Sequence, residues 1–254
     1  MKIAIAGGTG VVGRHVERIA REAGHETVVL TRSQGVDLVS GEGLSLTGVD
    51  VVIDASGPSK GERGNVVEFF ERVSTNLLKA EADAGVRHHV ALSIIGAAQV
   101  NAGYYAGKRA QEDVVTAGSI AWTILRATQF FEFADQVSMP FGPWVVTPKV
   151  RSQPIAAASV AAELVRLAES AVQGASNDAH GVHEVAGPEE RQIAHLMREL
   201  LVARGDKRRV LELPLPGRFG KGLRDGTILP SSEAKLDDVA FEDWLAGSHD
   251  ELSA

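Results

Sequence analysis

Three glycines and a tyrosine–lysine pair carry the chemistry that this sequence spells out. Gly7, Gly10 and Gly13 stand in the run Ile3-Ala4-Ile5-Ala6-Gly7-Gly8-Thr9-Gly10-Val11-Val12-Gly13-Arg14-His15-Val16, between a short apolar strand and the start of a helix. Glycine there lets the chain turn sharply, lets a phosphate approach the main chain and lets the helix pack close to the strand. The amide groups of Gly7, Thr9, Gly10, Val11, Val12 and Gly13, with the positive end of the helix behind them, then face an anion. The spacing points to the pyrophosphate of a dinucleotide. Further on, Tyr104 and Lys108 lie four residues apart at the start of a helix, so both project from one face. A free phenol has a pKa near 10. A nearby ammonium favours the phenolate and moves it toward the range useful for proton transfer, and the same lysine can hold ribose hydroxyls. Ser93, at the end of a strand, can bond a substrate carbonyl or simply its own backbone. Tyr105 is adjacent to Tyr104, and the sequence leaves the helix register between them open.

The residue ending the second strand reads the adenosine ribose in a dinucleotide site: a carboxylate suits NAD, an arginine the 2′-phosphate of NADP. Here that residue is Arg32, followed by Ser33. A guanidinium pairs bidentately with phosphate and a hydroxyl adds a donor, so NADP(H) is preferred and NAD(H) is possible. Asp37-Leu38 either borders the adenine or makes an ordinary turn. Ala55-Ser56-Gly57, closing a later strand, runs beside the cofactor with small side chains.

These residues need a scaffold that brings strand ends together. Apolar runs at 2–6, 27–31, 35–38, 49–54, 88–93 and 120–126 alternate with helical patterns near 11–23, 64–84 and 103–117. That alternation predicts an α/β protein, a Rossmann-type doubly wound parallel sheet with helices on both faces and strand order 3-2-1-4-5-6. Val66, Phe69, Phe70, Val73, Leu77 and Leu78 form a core-facing stripe on the longest helix. His88 and His89, ahead of a strand, are expected at the surface. After Arg126 the run Met139-Pro140-Phe141-Gly142-Pro143-Trp144 breaks the pattern. Helices near 157–170 and 189–204 and a strand near 182–186 follow. The expected organisation is a binding core over residues 1–127 and a smaller substrate-side lobe over 128–254.

With 44% apolar and 23% charged residues, the 254-residue chain can bury a full core. A formal charge of -7 argues against a general nucleic-acid surface. There is no cysteine, so disulfides and thiolate chemistry are excluded and redox chemistry must come from a cofactor. His180 and His183 are too isolated to argue for a metal. No apolar run reaches the length of a membrane span and Met1-Lys2 leads straight into a strand, so a cytoplasmic location is the expectation.

The glycine turn, Arg32, Ser93, Tyr104 to Lys108, Glu112 and the run Ala121-Trp122-Thr123-Ile124-Leu125-Arg126-Ala127-Thr128-Gln129-Phe130 together resemble the atypical short-chain dehydrogenase/reductases, specifically NmrA-like NAD(P)-binding proteins. The resemblance covers residues 1–170 well and the later part more loosely. It implies that Gly7, Thr9, Gly10, Val12, Gly13 and Arg32 hold the cofactor, and it implies reduction of a carbonyl or double bond. It also implies that Ala127 and Thr128 border the nicotinamide, with Gln129 and Phe130 toward the substrate. Phe131, Phe133 and Trp144 would extend an apolar wall suited to a carbonyl, enone or quinone, Phe131 and Phe133 serving equally as packing. Many members carry two serines at the end of the fifth strand. Here Ser93 matches the first and Ile94 follows. The readings that result are an NADPH-dependent oxidoreductase acting on a small molecule, an NADP(H)-sensing regulatory protein, and an epimerase or dehydratase that recycles its cofactor. The oligomeric state is not given by the sequence.

Overall fold

The computed structural model describes residues 1–59, 63–174 and 180–252. In chain order the strands are β1 (Lys2–Ala6), β2 (Glu26–Leu30), β3 (Val51–Asp54), β4 (His88–Ile94), β5 (Trp122–Ala127), β6 (Met139–Phe141), β7 (Trp144–Pro148), β8 (Arg151–Ser152), β9 (Gly181–Ala186), β10 (Arg191–Gln192), β11 (Arg209–Leu213) and β12 (Lys235–Leu236). The helices are α1 (Gly13–Glu22), α2 (Val66–Ala84), α3 (Ala97–Val100), α4 (Tyr104–Ala117), α5 (Phe133–Val137), α6 (Ala157–Gln173), α7 (Ile193–Ala203), α8 (Gly217–Arg224) and α9 (Phe241–Leu252). The central sheet has seven strands in the order β12-β9-β5-β4-β3-β1-β2. It is parallel and flanked by helices, a Rossmann-like α/β arrangement.

By internal contacts the chain forms two units, one of Met1–Arg126 with Val160–His183, the other of Ala127–Ser159 with Glu184–Ala254. In the first, β1 and β3 are almost wholly buried apolar runs, as strands covered on both faces must be. β1 pairs with β2 from Lys2↔Glu26 to Ala6↔Leu30 and with β3 from Ile3↔Val51 to Ala6↔Asp54, so Ala6, Leu30 and Asp54 end level at one edge. Phe69, Phe70, Val73 and Leu77 of α2 close over Ala4, Ala6 and Val52. Asn65 caps α2, its side chain accepting from the Glu68 amide at 3.2 Å, and Gly85 ends it in the left-handed region. α4 can lie close against α2 because Gly107 has no side chain: a Cβ there would stand 2.5 Å from Val66 and 2.7 Å from Phe70.

The strand expected at 35–38 is not formed, so β2 is the sheet edge; the other five expected strands stand in the expected order, 2-1-4-5-6, as β2-β1-β3-β4-β5. Asp37 makes a turn instead. Its Oδ1 accepts from the amides of Val39 (2.8 Å) and Ser40 (3.4 Å), and its carbonyl accepts from Gly41 N. Asn76 of α2 then donates to the carbonyls of Leu38 and Val39, which keeps Val36, Leu38 and Val39 against the core as a loop.

His88 and His89 are not surface residues; they are 5% and 0% exposed. Gly85 turns the chain back from α2 into β4, and His89 Nδ1 meets the buried Glu81 carboxylate of α2 at 2.7 Å. His88 Nε2 lies 2.8 Å from Thr123 Oγ1. Glu81, first among the charges, holds His89 above the ordinary histidine range against the pull of burial, whereas burial and the neighbouring His89 push His88 down to about 4.

In the second unit, β11-β7-β6 form a small sheet, with β7 parallel to β11 and antiparallel to β6. Phe131 is buried against Phe241 and Trp244, ring centroids 5.3 and 5.5 Å away, so this aromatic packs the unit rather than lining a wall.

Candidate functional site

The glycine turn is built as its spacing requires. Gly10 N donates to Gly7 O at 2.9 Å and Arg14 N to Gly10 O at 3.2 Å, which closes the turn into α1. Gly7 has φ +77°, and a Cβ there would sit 2.5 Å from Ala55 O and 2.7 Å from Ser56 Cα. At Gly13 a Cβ would fall 2.1 Å from Gly7 O, so helix and turn touch through main chain alone. Gly10 is different: it is exposed, and a Cβ would meet only Gly7 O, at 3.2 Å. Gly7 and Gly13 are required by packing, and Gly10 leaves an open strip of main chain at the helix start. No acidic residue occupies the first turn of α1, so its positive end is not neutralised. Val12 is buried in the core, Val11 is half-buried and Thr9 is exposed.

Beside the turn lies the end of β3. Ser56 is 5% exposed, and its Oγ has no hydrogen-bond partner among the described residues. An orphaned hydroxyl next to bare main chain and a helix N-terminus suits a dinucleotide pyrophosphate and ribose, so the residues present fit such a group. Arg32 follows β2 with its side chain about half exposed, its Nε 4.0 Å from Asp37 Oδ2, and Ser33 Oγ is 2.9 Å from Thr31 Oγ1. Asp37 and Leu38 serve the turn and the core described above.

The second cluster stands on α4. Tyr104, 39% exposed, packs edge-on to Phe70 with centroids 5.7 Å apart. Its hydroxyl lies 4.0 Å from where a Cβ of Gly57 would be, so the phenol ends over the strand terminus that flanks the glycine turn. Tyr105 is buried. The structure therefore presents Tyr104, not Tyr105, toward Gly57. Lys108 is 2% exposed, and its ammonium donates to Leu92 O (2.7 Å), Gln111 Oε1 (2.9 Å) and, at the limit, Ser56 O (3.5 Å), with the Phe70 ring centroid 4.3 Å away. Burial lowers its pKa to about 8 against the opposing pull of Asp54 and Glu112. The expected lowering of the tyrosine is not what the structure gives. Desolvation first, and the Asp54 charge second, hold Tyr104 above the usual phenol range, while Lys108 stands 5.8 Å from its ring centroid with its donors directed elsewhere.

Ser93, also buried, donates its hydroxyl proton to Glu112 Oε1 at 2.5 Å, and Arg126 grips the same carboxylate through Nε (2.9 Å) and Nη2 (2.6 Å). Two residues escaped the sequence reading. Gln111 Nε2 donates to Asp54 Oδ2 at 2.7 Å, and Asp54 Oδ1 accepts the Ser56 amide at 2.9 Å. The signals were present: Asp54 is the one charge in an apolar strand, and Gln111 follows Lys108 by three residues on the same helix.

In the second unit, Ala127 and Thr128 are buried, and Thr128 donates to Gln153 O at 2.6 Å. Gln129 accepts from the Ser152 hydroxyl, and Phe130 bridges Ile155. Trp144 is half-buried with the Arg209 guanidinium 6.0 Å from its ring. Among the described residues there is no group of histidines and carboxylates able to hold a metal, and no helix is long and apolar enough to cross a membrane.

A family model described as NAD(P)H-binding matches residues 44–171, half of the chain, and so includes β3, β4 and α4 but not the glycine turn. A curated relative, the photosystem II assembly factor Ycf39 of Synechocystis sp., is 33% identical over 115 residues, 39% of this chain and 35% of that protein. The match thus spans about a third of the relative's length. Among solved structures, a GDP-6-OMe-4-keto-L-xylo-heptose reductase from C. jejuni superposes with a TM-score of 0.75 at 13% identity, covering 99% of this chain and 97% of that one. An NADPH-dependent quinone oxidoreductase from Escherichia coli superposes with a TM-score of 0.66 at 17% identity, covering 96% and 98%. At such identities the likeness is one of fold, and it agrees with the resemblance to atypical short-chain dehydrogenase/reductases drawn from the sequence.

Proposed function

The chain belongs to the NAD(P)H-binding family, and we propose that it is an NADPH-dependent oxidoreductase reducing a small apolar carbonyl, enone or quinone. The observation that carries this reading is the placement of the Tyr104 hydroxyl over Gly57, beside the strand end that the glycine turn touches. In this reading Gly7, Thr9, Gly10, Val11, Val12 and Gly13 hold the pyrophosphate, Arg32 and Ser33 the adenosine 2′-phosphate, and Ser56, Gly57 and Lys108 the nicotinamide half. Ala127 and Thr128 border the nicotinamide, and Gln129, Phe130 and Trp144 belong to the substrate side. The bound coenzyme supplies hydride. Tyr104 Oη, held as the neutral phenol, donates the proton to the substrate oxygen.

A second reading rests on an observation of its own. Lys108 directs its ammonium to protein acceptors and Ser93 directs its hydroxyl hydrogen to Glu112, an arrangement that an NADP(H)-sensing protein tolerates as well as an enzyme does. One experiment separates the two. Purified protein is offered NADPH with a panel of quinones, enones and aldehydes, and binding is followed by calorimetry. The reductase reading expects NADPH consumption that falls about 10²-fold or more in Tyr104→Phe while NADPH binding is kept. Binding without turnover on any member selects the sensor, and product without net NADPH loss selects an epimerase or dehydratase. Failure to bind either pyridine coenzyme at millimolar levels removes all three.

A further inference from the structure

We infer that Gln111 is the positioning residue for Lys108, its amide linking the Asp54 carboxylate to the Lys108 ammonium and so fixing where Nζ stands above the ends of β3 and β4. This rests on the reading of that place as the nicotinamide side of a coenzyme site. All three groups are buried, Asp54 and Gln111 at 0% and Lys108 at 2% exposure, so none can turn to water instead. The amide has one workable orientation: Nε2 lies 2.7 Å from Asp54 Oδ2 and Oε1 lies 2.9 Å from Nζ. A flip would set oxygen against carboxylate and NH₂ against ammonium. Asp54 is held in turn by the Ser56 amide at 2.9 Å, on the strand end that also offers Ser56 O to Nζ. Without the Gln111 amide the ammonium keeps one close acceptor, Leu92 O at 2.7 Å, and the face of Phe70.

The i,i+3 spacing on α4 puts Gln111 beside Lys108, and the missing side chain of Gly107 lets α4 sit low enough on α2 for Phe70 to floor the ammonium. The titratable groups facing Lys108 are Asp54 on β3 and Glu112 and Tyr104 on α4; α2 and β4 present the neutral Phe70 and Leu92 carbonyl. Asp54 and Glu112 both favour the charged lysine, and burial opposes them. Gln111 transmits the first of these charges without a direct ion pair. Nζ is thereby centred between strand ends instead of being drawn down onto Asp54.

The test reads Lys108 itself. Protein labelled with ¹³C at lysine Cε is titrated by NMR with no coenzyme present, the Lys108 signal being assigned by its loss in Lys108→Met. The wild-type signal titrates near pH 8, apart from the exposed lysines. Gln111→Leu and Asp54→Asn move that midpoint down by about one pH unit, and Gln111→Glu, which brings a second carboxylate to Nζ, moves it up. NADPH affinity measured against pH by calorimetry loses its alkaline limb at the same shifted midpoints. A residue that merely packs the site would lower the melting temperature and leave the midpoint where it was. Should Gln111→Leu not fold, Gln111→Glu and Asp54→Asn carry the test. A Lys108 midpoint that stays in place in the folded variants overturns the relay. Shifted midpoints in a protein that never consumes NADPH would remove the reductase reading and keep the relay, so the two failures are distinct.

Discussion

Replacing Gly10 and Gly13 separately by alanine should divide the glycine turn into the part that holds the fold and the part that holds the ligand. At Gly13 the new methyl would stand 2.1 Å from Gly7 O and 2.6 Å from Gly8 Cα, both main-chain atoms that cannot swing aside. Overpacking of this kind costs about 1–3 kcal/mol, and two backbone overlaps place Gly13→Ala at the upper end, about 3 kcal/mol. For a chain of this size that corresponds to a fall of roughly 6–12 °C in melting temperature. Gly10 is exposed, lies outside the positive-φ glycines and would present its methyl only to Gly7 O at 3.2 Å. Gly10→Ala should therefore keep stability within about 1 kcal/mol, part of any strain being offset by a stiffer unfolded chain. The same methyl covers the strip of main chain that a pyrophosphate would approach. NADPH affinity should fall about tenfold or more, a loss of at least about 1.4 kcal/mol. Urea denaturation and calorimetric NADPH titration of the two variants read the two effects independently. A Gly10→Ala protein that binds NADPH as the wild type does would refute the assignment of this turn as the phosphate cradle, whatever Gly13→Ala does to stability.

Arg32→Ala should reduce the preference for NADPH over NADH about 10–100-fold, the worth of one hydrogen bond to a charged group, measured as the ratio of the two dissociation constants; an unchanged ratio would take Arg32 out of 2′-phosphate recognition. His88 gives a stability test with a definite sign. Its folded pKa of about 4 lies below the ordinary histidine value of about 6.5, so the unfolded chain binds the proton first, and this contribution is complete above pH 6.5 and is lost as pH falls toward 4. His88→Gln should flatten the acid limb of unfolding free energy by about 3 kcal/mol across that window, and an acid limb parallel to the wild type would show that His88 is not buried neutral.

What the sequence made legible is what is local in it. The turn at Gly7 to Gly13, the stripe on α2 and the Tyr104-to-Lys108 spacing are each set by neighbours within a few residues, and their positions in the fold follow. The strand expected at 35–38 failed for a reason that is half local and half remote. Asp37 prefers its own turn, and the carbonyls a strand would have paired are taken by Asn76, a side chain almost forty residues on. The same division explains the histidines. Polar residues at a strand start read as exposed until Glu81, on the preceding helix, is seen to be folded back onto His89 by the Gly85 turn. It also explains why Lys108 was legible while its orientation was not. The bond that orients its partner joins Gln111 to a carboxylate 57 residues earlier, across two elements that meet only when α4 settles against α2. The protonation state of such a site is thus a property of long-range packing. Tyr104 makes the point most sharply: four residues from a lysine, it is expected to ionise more readily, yet desolvation around its hydroxyl and the Asp54 carboxylate of β3 move it the other way.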